Sequence, residues 1–370
     1  MERIRSAVIG LGFIGAAHVD ALKRVPGVDV VAVVDAFGIE GKAELLDVPN
    51  AFSSYQEMIE VCKPDCIHIC TPNHLHKEIA IYALERGIHV VCEKPMAMNT
   101  EEAKEMVAAA KQSGKVHAVN FHNRFYPVNH HLKTMIQNGE LGRIQNIHGV
   151  YLQDCFLKDT DFNWRMLSKN SGKTRVISDI GSHWIDLAEY IIGQKVAEVF
   201  AELQRTHATR KRKTADAYED VEIDTEDNAF LMFRFVGGAV GNMAVSQLTP
   251  GKKNQTAYTV AGNKMAAAWD SEQISDLWLG LRDEPNKILT KAPELFDAET
   301  AALTAYPGGH VEGFPDAFRQ NFTAIYKAIR GDVASNRFAT FEDGLHQMEI
   351  CDKLFESAQK GTWIKLNAKE

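Results

Sequence analysis

The sequence predicts a two-domain α/β protein, in which a doubly wound parallel sheet is followed by an α+β domain with an open-faced, mostly antiparallel sheet. Three observations lead to this fold class. The chain of 370 residues exceeds the roughly 250–300 residues that one hydrophobic core supports. Its first 120 residues alternate short β-rich runs with amphipathic helical runs, which is typical of βαβ units. From about residue 125, closely spaced strand-like runs replace this alternation.

The first domain, residues 1–124, is predicted to contain five parallel strands connected by helices. The strands span 5–10, 29–35, 65–70, 89–93 and 116–121, and the helices span 17–25, 76–86 and 100–113. Asn99 or Thr100 is expected to cap the last helix, whose first turn is acidic, and Gly114 is expected to end it. Helices on both faces would bury such a sheet.

The second domain, residues 125–370, is predicted to contain the open-faced sheet. Its strands span 144–153, 196–205, 228–235, 239–247 and 255–261, and its helices span 128–138, 182–192 and 341–360. Val236-Gly237-Gly238-Ala239 is a hairpin signal. Helices are expected on one face, which leaves the other for a ligand or a partner subunit. The helix at 341–360 can pack back against the first domain.

A charged segment lies between two of these strands. Five basic residues fall within 205–214, and an acidic run from 216 to 227 follows directly. Since the opposite charges partly neutralise one another, we interpret the segment as a solvated loop. A mobile lid is the alternative.

The composition excludes several classes of protein. With 45% hydrophobic and 24% charged residues, the chain is typical of a globular protein rather than a collagenous, coiled-coil or disordered one. A net charge of -8 argues against nucleic acid as a partner, because phosphates require a concentrated positive field. No run approaches the roughly 20 apolar residues of a membrane span, and no signal-peptide core is present. We therefore expect a cytoplasmic protein.

No metal site is predicted. The six cysteines are interpreted as small, mostly buried residues in a reducing compartment, and they lack the paired spacing of structural zinc sites. His122, His130 and His131 have no acidic or cysteine partner at ligand spacing, so we interpret them as surface or interdomain residues.

A glycine-rich loop and an aspartate indicate a dinucleotide site. Gly10-Leu11-Gly12-Phe13-Ile14-Gly15 follows a hydrophobic strand and opens a helix, the context in which a tight turn and a helix N-terminus hold a pyrophosphate. Asp35 ends the second strand, where a carboxylate accepts hydrogen bonds from the adenosine ribose. Asp35 would repel a 2′-phosphate, and the residues directly after it include no Arg or Lys, so NAD is predicted over NADP.

Two further motifs end strands of the first domain. Thr71, Pro72, Asn73 and His76 follow one strand, and Asn73 and His76 are expected to contact the nicotinamide or its ribose. A helix N-cap is the alternative role for Asn73.

Glu93-Lys94-Pro95 ends a buried strand, where an ionisable pair is costly unless it is used. Lys94 can stabilise negative charge on a substrate oxygen. A structural Lys–Glu salt bridge is the alternative.

In the second domain, Asp179 and His183 are four residues apart at the start of a helix. This spacing places both side chains on one helix face. Because a carboxylate raises the basicity of a nearby histidine, His183 is predicted to accept a proton near neutral pH.

Together these motifs resemble one family, the glucose-fructose oxidoreductase/inositol dehydrogenase (Gfo/Idh/MocA) superfamily of nicotinamide-dependent sugar and polyol dehydrogenases. The resemblance covers most of the chain and rests on Gly10-x-Gly12-x-x-Gly15, Asp35, Thr71-Pro72-Asn73-His74-x-His76, Glu93-Lys94-Pro95, Arg124-Phe125, Trp164-Arg165 and Asp179-x-x-x-His183. Two segments depart from the family pattern and concern substrate identity rather than chemistry: Arg175-Val176-Ile177-Ser178, where members often carry Gly-Gly, and Asn120-Phe121-His122-Asn123, in place of a Gly-Phe-Asn-Arg type of sequence.

The resemblance implies a Rossmann domain that binds NAD and a catalytic set of Lys94, Asp179 and His183. The implied cofactor contacts are Gly10, Gly12, Phe13, Ile14, Gly15, Asp35, Thr71, Pro72, Asn73, His76, Glu93, Lys94 and Asn120. The implied substrate contacts are Lys94, Arg124, Trp164, Arg165, Asp179, His183 and His310. It also implies assembly into dimers or tetramers through the open sheet.

The function expected on these grounds is reversible oxidation of a secondary hydroxyl on a cyclic polyol or sugar. His183 takes the hydroxyl proton, Lys94 polarises the oxygen, and hydride passes to the nicotinamide. One alternative is a glycosidase or epimerase that oxidises its substrate transiently and releases no NADH. Another is a regulator that binds NAD without turnover, and it would tolerate loss of His183.

Overall fold

The computed structural model describes residues 3–332 and 337–366, which form two compact units. Unit one comprises the chain up to Phe125 together with Gly313–Met348. Unit two comprises Tyr126–Glu312 and the residues from Glu349 onward. The sequence predicts a boundary at 124/125 and assigns 313–348 to the second domain, with the helix at 341–360 able to pack on the first. The structure groups the whole of 313–348 with unit one, which was not expected for residues 313–340.

The described part of unit one contains a six-stranded sheet in which all neighbours are parallel. Its strands are β1 (Ile4–Ile9), β2 (Val28–Val34), β3 (Ala51–Phe52), β4 (Cys66–Ile69), β5 (His89–Cys92) and β6 (His117–Val119), in the order β3-β2-β1-β4-β5-β6. Buried Val, Ile and Ala side chains fill the central strands, as a sheet covered on both faces requires. The strand order reverses between β1 and β4, and ligands of such sheets bind beside this point, at the strands' carboxyl ends. The predicted doubly wound parallel sheet is confirmed.

Helices connect these strands. They are α1 (Phe13–Lys23), α2 (Ile39–Leu45), α3 (Tyr55–Cys62), α4 (His76–Glu85) and α5 (Thr100–Ser113). In α5 the Asn99 side chain accepts a hydrogen bond from the Glu102 amide at 3.0 Å, and Gly114, with φ of 63°, follows its last turn. Asn99 is therefore the N-cap, and Gly114 ends the helix as predicted.

The described part of unit two contains a nine-stranded sheet whose neighbours are antiparallel except for one parallel pair, β7 and β12. The unit's strands are β7 (Ile144–Leu152), β8 (Val196–Gln204), β9 (Thr209–Lys213), β10 (Tyr218–Glu222), β11 (Asn228–Phe235), β12 (Val240–Ser246), β13 (Gln255–Gly262), β14 (Ala266–Asp270), β15 (Asp276–Gly280), β16 (Lys287–Thr290) and β17 (Ile364–Lys365). The sheet order is β16-β15-β14-β13-β7-β12-β11-β8-β17, and β9 pairs with β10 separately. The predicted mostly antiparallel sheet is confirmed.

The two faces of this sheet differ in what covers them. The helices that lie wholly in this unit are α6 (Pro127–Gln137), α7 (Ser168–Ser171), α8 (Ser182–Ile192) and α9 (Ala298–Ala301). Helix α8 is buried along its whole length, and its Trp184 stacks on Phe233 of the sheet at 6.2 Å between ring centroids. The opposite face exposes large apolar side chains, among them Phe230, Met232 and Ile288.

The charged segment is a hairpin, and the predicted solvated loop is wrong for its centre. Strands β9 and β10 pair so that Arg212 faces Glu219 and Lys211 faces Asp220. Opposite charges that face each other across a strand pair stabilise the ladder, which explains why this sequence forms strands. Arg210 of the same hairpin is fully buried, so the segment is not simply solvated.

Two long helices, α10 (Phe314–Ile329) and α11 (Phe341–Lys360), precede β17 in the chain. An aromatic residue occupies every fourth position of α10, which gives the helix one aromatic face. The Phe residues of this face pack on histidine rings of unit one at centroid distances of 4.6 to 5.4 Å, and the contacts join Phe314, Phe318 and Phe322 to His18, His68 and His122. This packing accounts for the place of α10 in unit one. Within the described residues, no helix has the length and apolar character needed to cross a membrane.

Candidate active site

The glycine-rich loop of unit one connects β1 to α1. Gly10 has φ of +92°, and a Cβ there would lie 2.7 Å from the Cys70 carbonyl carbon. A Cβ on Gly15 would lie 1.8 Å from the Gly10 oxygen. Both positions therefore require glycine, because any side chain would collide with backbone.

Gly12 is the N-cap of α1, and a Cβ added to it would meet no atom within 4 Å. The neighbouring Phe13 side chain is exposed and Ile14 is half-buried. The helix N-terminus thus opens onto free space, with backbone donors that suit an anion. The loop fits the pyrophosphate of a dinucleotide.

Asp35 lies beside this loop, directly after β2. Its carboxylate accepts hydrogen bonds from the Leu11 amide at 2.7 Å, the Phe37 amide at 3.1 Å and the Lys42 ammonium at 2.9 Å. Burial acts to raise the pKa of Asp35, but these donors outweigh it and hold the pKa below its ordinary value. The carboxylate is ionised at neutral pH, as a ribose acceptor requires.

Lys42 is a residue that the sequence reasoning missed. It lies seven positions beyond Asp35 in α2, whereas the prediction of NAD over NADP considers only the residues directly after Asp35. The helical geometry of α2 reveals the role of Lys42, because the helix brings the Lys42 side chain back to the end of β2. Because Lys42 pairs with Asp35 at 2.9 Å, the pair reduces the net negative charge at this end of the site.

The loops that follow β4 and β5 are tied together by His76. Its buried ring places Nε2 2.9 Å from the Thr71 carbonyl oxygen and Nδ1 3.0 Å from that of Pro95. Asn73 is buried as well, on a short turn that begins after Pro72. The predicted cofactor residues Thr71, Pro72, Asn73 and His76 therefore form one packed corner beside Gly10.

Glu93 ends β5 as a buried carboxylate. It accepts hydrogen bonds from Asn120 at 2.5 Å and from the Lys94 amide at 3.2 Å, and it pairs with His18 at 2.8 Å. Burial acts to raise its pKa, but His18, Lys94 and Asn120 outweigh burial and lower the pKa to about 2. Glu93 thus carries a fixed negative charge inside the unit.

Lys94 follows Glu93 and is half-buried, and its peptide bond to Pro95 is cis. Arg124 is buried in the same unit, and its guanidinium lies 3.7 Å from the Asp343 carboxylate. Asn120 also accepts a hydrogen bond from the Asn321 amide at 2.8 Å. The predicted residues at this edge are therefore held in place by protein contacts.

In unit two, Asp179 and His183 lie on consecutive helical turns. Asp179 belongs to a π-helical turn, Ile177–Gly181, that leads into α8, whereas the sequence predicts ordinary α-helical spacing. Its carboxylate accepts a hydrogen bond from the Gln247 amide at 3.1 Å. His183 is buried in the first turn of α8, and its ring lies 6.3 Å from that of Tyr151. A π-helical turn often marks a functional site because it re-aims a side chain.

Trp164 and Arg165 lie on a short turn of the segment between β7 and α7, where the Arg165 guanidinium lies 4.6 Å from the centre of the Trp164 ring. His310 lies on a different loop and is exposed. A buried ion pair holds that loop, since Lys291 lies 2.7 Å from Glu312 and also binds the Tyr306 carbonyl. The structure thus presents three of the predicted substrate residues, Trp164, Arg165 and His310, on two loops of unit two.

Arg210 is a second residue that sequence reasoning missed. From β9 it donates hydrogen bonds to three carbonyl oxygens of the segment that precedes Trp164, those of Phe156, Lys158 and Asp161, at 2.7 to 3.2 Å. It also binds the buried Asp227 at 2.9 Å, which Arg175 contacts as well. Sequence cannot single out one buried arginine among five basic residues.

The described residues contain no group of three His, Cys, Asp or Glu side chains that could hold a metal ion. Unit one instead contains a glycine loop that can hold a dinucleotide, with Lys94 and the buried carboxylate of Glu93 at its edge. Unit two offers a histidine and a carboxylate next to polar loops. These groups can bind a dinucleotide and move a proton.

Comparisons with known proteins agree on one family. The model of an oxidoreductase family with an NAD-binding Rossmann fold, GFO/IDH/MocA, matches residues 4–121. The model of the GFO/IDH/MocA C-terminal domain matches residues 129–268.

Individual relatives extend the likeness to most of the chain. A levoglucosan dehydrogenase of Pseudarthrobacter phenanthrenivorans is 29% identical over 98% of both chains. A D-glucoside 3-dehydrogenase of Escherichia coli is 31% identical over 64% of this chain and 68% of its own length. The solved structure of a levoglucosan dehydrogenase with NADH and levoglucosan superposes with a TM-score of 0.89, at 26% identity, over 99% of this chain and all of the other.

Proposed function

Because this chain belongs to the GFO/IDH/MocA family of NAD-dependent oxidoreductases, we propose that it oxidises one secondary hydroxyl of a cyclic sugar or polyol, reversibly. The family assigns it an NAD-binding domain and dehydrogenase chemistry on sugar hydroxyls. The observation that supports the finer proposal is the glycine loop, open at Gly12, on a unit that also holds Lys94 next to the ionised Glu93. NAD would supply, when bound, the acceptor for the hydride that leaves the carbinol carbon.

The other steps belong to side chains of the protein. His183 takes the proton of the substrate hydroxyl, and Asp179, held by Gln247, orients His183 or binds a neighbouring hydroxyl. Lys94 donates a hydrogen bond to the same substrate oxygen and stabilises its negative charge as the proton leaves. One C–H bond and one O–H bond break, and a carbonyl forms.

Substrate and cofactor contacts complete the proposal. Cofactor contacts are assigned to Gly10, Gly12, Phe13, Ile14, Gly15, Asp35, Thr71, Pro72, Asn73, His76, Glu93, Lys94 and Asn120. Arg124, Trp164, Arg165 and His310 are assigned to the substrate. A cyclic polyol presents several hydroxyls, and this set of donors together with an aromatic ring suits such a surface.

The test is NADH formation, followed by absorbance, with NAD and a panel of inositols, aldoses, anhydrosugars and glycosides. Product analysis on the same samples separates the outcomes. NADH in proportion to product supports the proposal and identifies the substrate. Product without NADH would instead indicate transient oxidation with retained cofactor, and binding of NAD without any turnover would indicate a regulator.

We further propose that two or four copies associate through the open sheet face, in the cytoplasm. The support for association is the row of exposed Phe230, Met232, Val240 and Ile288 side chains, since monomers rarely expose large contiguous apolar patches. All six cysteines of the chain are free thiols, which suits a reducing compartment. Light scattering on the protein and on Phe230→Asp tests the association, and an unchanged mass in the variant would contradict it.

A further inference from the structure

The π-helical turn that carries Asp179 is supported by a side chain from its own helix. At the end of this turn, the Ser182 amide donates to the Ile177 carbonyl, five residues back, whereas an α-helix would place its bond on the Ser178 carbonyl, four residues back. The Ser182 hydroxyl donates to that Ser178 carbonyl at 2.7 Å. The hydroxyl thus replaces the backbone donor that the wider turn has redirected.

A second side chain holds the beginning of the turn from outside the helix. Glu226 lies two residues before β11, and its Oε1 atom accepts hydrogen bonds from the Arg175 amide at 2.8 Å and the Ile177 amide at 3.1 Å. Amides at the start of a helix have no acceptor within the helix, and a side chain that accepts from them fixes where the helix begins. Glu226 therefore caps this helix from a distant part of the chain.

Arg175 binds the segment of Glu226 in return. Its guanidinium donates to the Glu226 carbonyl oxygen from Nε at 3.1 Å and from Nη2 at 2.8 Å, and it also contacts the Asp227 carboxylate. The Glu226 carboxylate holds the backbone of Arg175, and the Arg175 side chain holds the backbone of Glu226. Neither residue can shift without breaking bonds to the other.

The same segment also reaches the Asp179 side chain, through Gln247. The backbone amide of Gln247 donates to the Asp227 carbonyl at 3.2 Å. Its side-chain nitrogen donates to Asp179 at 3.1 Å and to Gln153 Oε1 at 3.1 Å, so two acceptors fix the orientation of the amide. Residues 226 and 227 thus support both the backbone before Asp179 and the group that binds its carboxylate.

An ordinary helix start does not need such an arrangement, since a local Ser, Thr, Asp or Asn suffices as a cap. Glu226 is 5% exposed, and burial raises its pKa above the ordinary value, although the amides of Arg175 and Ile177 act to lower it. Burying a carboxylate costs free energy. A buried cap of this kind is explained if the conformation of the turn matters, and not only the presence of a helix.

We propose that Glu226 and Ser182 are positioning residues, which hold the π-helical turn so that the Asp179 carboxylate has a fixed direction relative to His183. The inference rests on the proposed function for the roles of Asp179 and His183. A π-helical turn contains more residues than an α-helical one, so it changes the angle between two side chains four residues apart. Without the two supports the segment returns to α-helical bonding, because that gives the Ser178 carbonyl a backbone donor again, and Asp179 turns away.

Hydrogen exchange of the whole chain without cofactor tests the support itself. Glu226→Met removes the acceptor and keeps the length of the side chain, whereas Glu226→Gln keeps an oxygen for the amides of residues 175 and 177. These two amides should exchange faster in Glu226→Met by on the order of tenfold, the effect of one lost hydrogen bond. In Glu226→Gln they should exchange at close to the original rate. Equal rates in all three proteins would overturn the proposal.

Ser182→Ala is a milder variant, because it removes a single hydroxyl. With a substrate found in the panel, kcat should fall by on the order of 100-fold, the effect that a displacement of about 1 Å can have, and the Kd for NAD should not change. The matched control is Thr323→Val, which removes a hydroxyl that donates at 2.7 Å to the carbonyl four residues back in the regular helix α10. The control should keep its kcat. An unchanged kcat in Ser182→Ala, or an equal loss in both variants, would overturn the proposal.

The pH profile separates positioning from a loss of stability. A carboxylate beside a histidine favours the protonated ring, so turning Asp179 away should let the base work at lower pH. The acid-side midpoint of kcat/KM should therefore move to lower pH in Ser182→Ala. Lower activity with an unchanged midpoint would mean a merely structural role and would overturn the proposal. If the protein oxidises no sugar, the proposed function fails, and hydrogen exchange still decides whether Glu226 holds the turn.

Discussion

Replacing Asp227 by Asn keeps the size of the side chain, removes the charge at the centre of a buried cluster and turns one hydrogen-bond acceptor into a donor. Asp227 is fully buried between Arg175 and Arg210, which are fully buried too. Its carboxylate also accepts hydrogen bonds from the Thr206 amide at 2.9 Å and the His207 amide at 3.2 Å. In the variant two guanidinium groups are left inside the protein without the carboxylate that they share.

The expected loss is large. Breaking a buried ion pair by removing one partner costs about 3–5 kcal/mol, because the remaining charge stays desolvated. The matched control is Glu198→Gln, which breaks the more exposed pair of Glu198 with Arg234, 2.6 Å apart. Exposed pairs contribute about 0–1 kcal/mol. Urea unfolding, followed by circular dichroism, measures both, and a loss for Asp227→Asn as small as that of the control would refute the reasoning.

The same variant has a pH signature. Burial acts to raise the pKa of Asp227, but Arg175, the His207 amide and Arg210 outweigh it and lower the pKa. A lowered pKa means that the carboxylate stabilises the fold above its unfolded pKa of about 3.9, and that this contribution is lost as the pH falls through the folded pKa. The stability gap between the protein and Asp227→Asn should therefore close in acid, and a gap that persists there would contradict a charge-based cause.

Further predictions concern the cofactor loop, Glu93 and the loop before Trp164. Gly12→Ala should fold normally, since its Cβ meets no protein atom, yet bind NAD weakly, because that Cβ enters the space assigned to the cofactor. Gly15→Ala should instead lose thermal stability, because its Cβ collides with the backbone of Gly10. Calorimetry measures the stability of both variants, and titration measures their affinity for NAD. The pKa of Glu93 is lowered on folding, so its carboxylate should stabilise the fold fully above its unfolded pKa of about 4.3, and this contribution should be lost as the pH falls towards its folded pKa of about 2. In urea unfolding, Glu93→Gln should abolish this dependence of stability on acid. Arg210→Met should raise the KM for sugar several-fold with an unchanged Kd for NAD, because Arg210 binds three carbonyls of the loop before Trp164; an unchanged KM would contradict this anchoring role.

Local patterns carry most of what the sequence predicts correctly. The glycine loop, its strand and its helix are adjacent in the chain, so the six residues from Gly10 to Gly15 contain all the information for a tight turn at a helix N-terminus. The Asn99 cap of α5 is equally local. These elements follow from residue type and spacing alone.

Non-local packing accounts for what the sequence does not predict. Helix α10 lies in unit one because its aromatic face packs on histidines from elements that are distant in the chain. A sequence pattern shows that a helix has an apolar face but not which element that face packs against. The hairpin of β9 and β10 forms because charges pair across strands, whereas composition alone suggests a loop. The π-helical turn at Asp179 likewise has no signal in residue spacing.

Hydride transfer from a sugar carbon to NAD is the central claim, and isotope tracing tests it most directly. A substrate found in the panel is prepared with deuterium at the carbon that is oxidised, and the NADH formed is examined by mass spectrometry. We predict one deuterium in NADH for each molecule of carbonyl product. Product without deuterated NADH, or deuterium released to water, would contradict the claim.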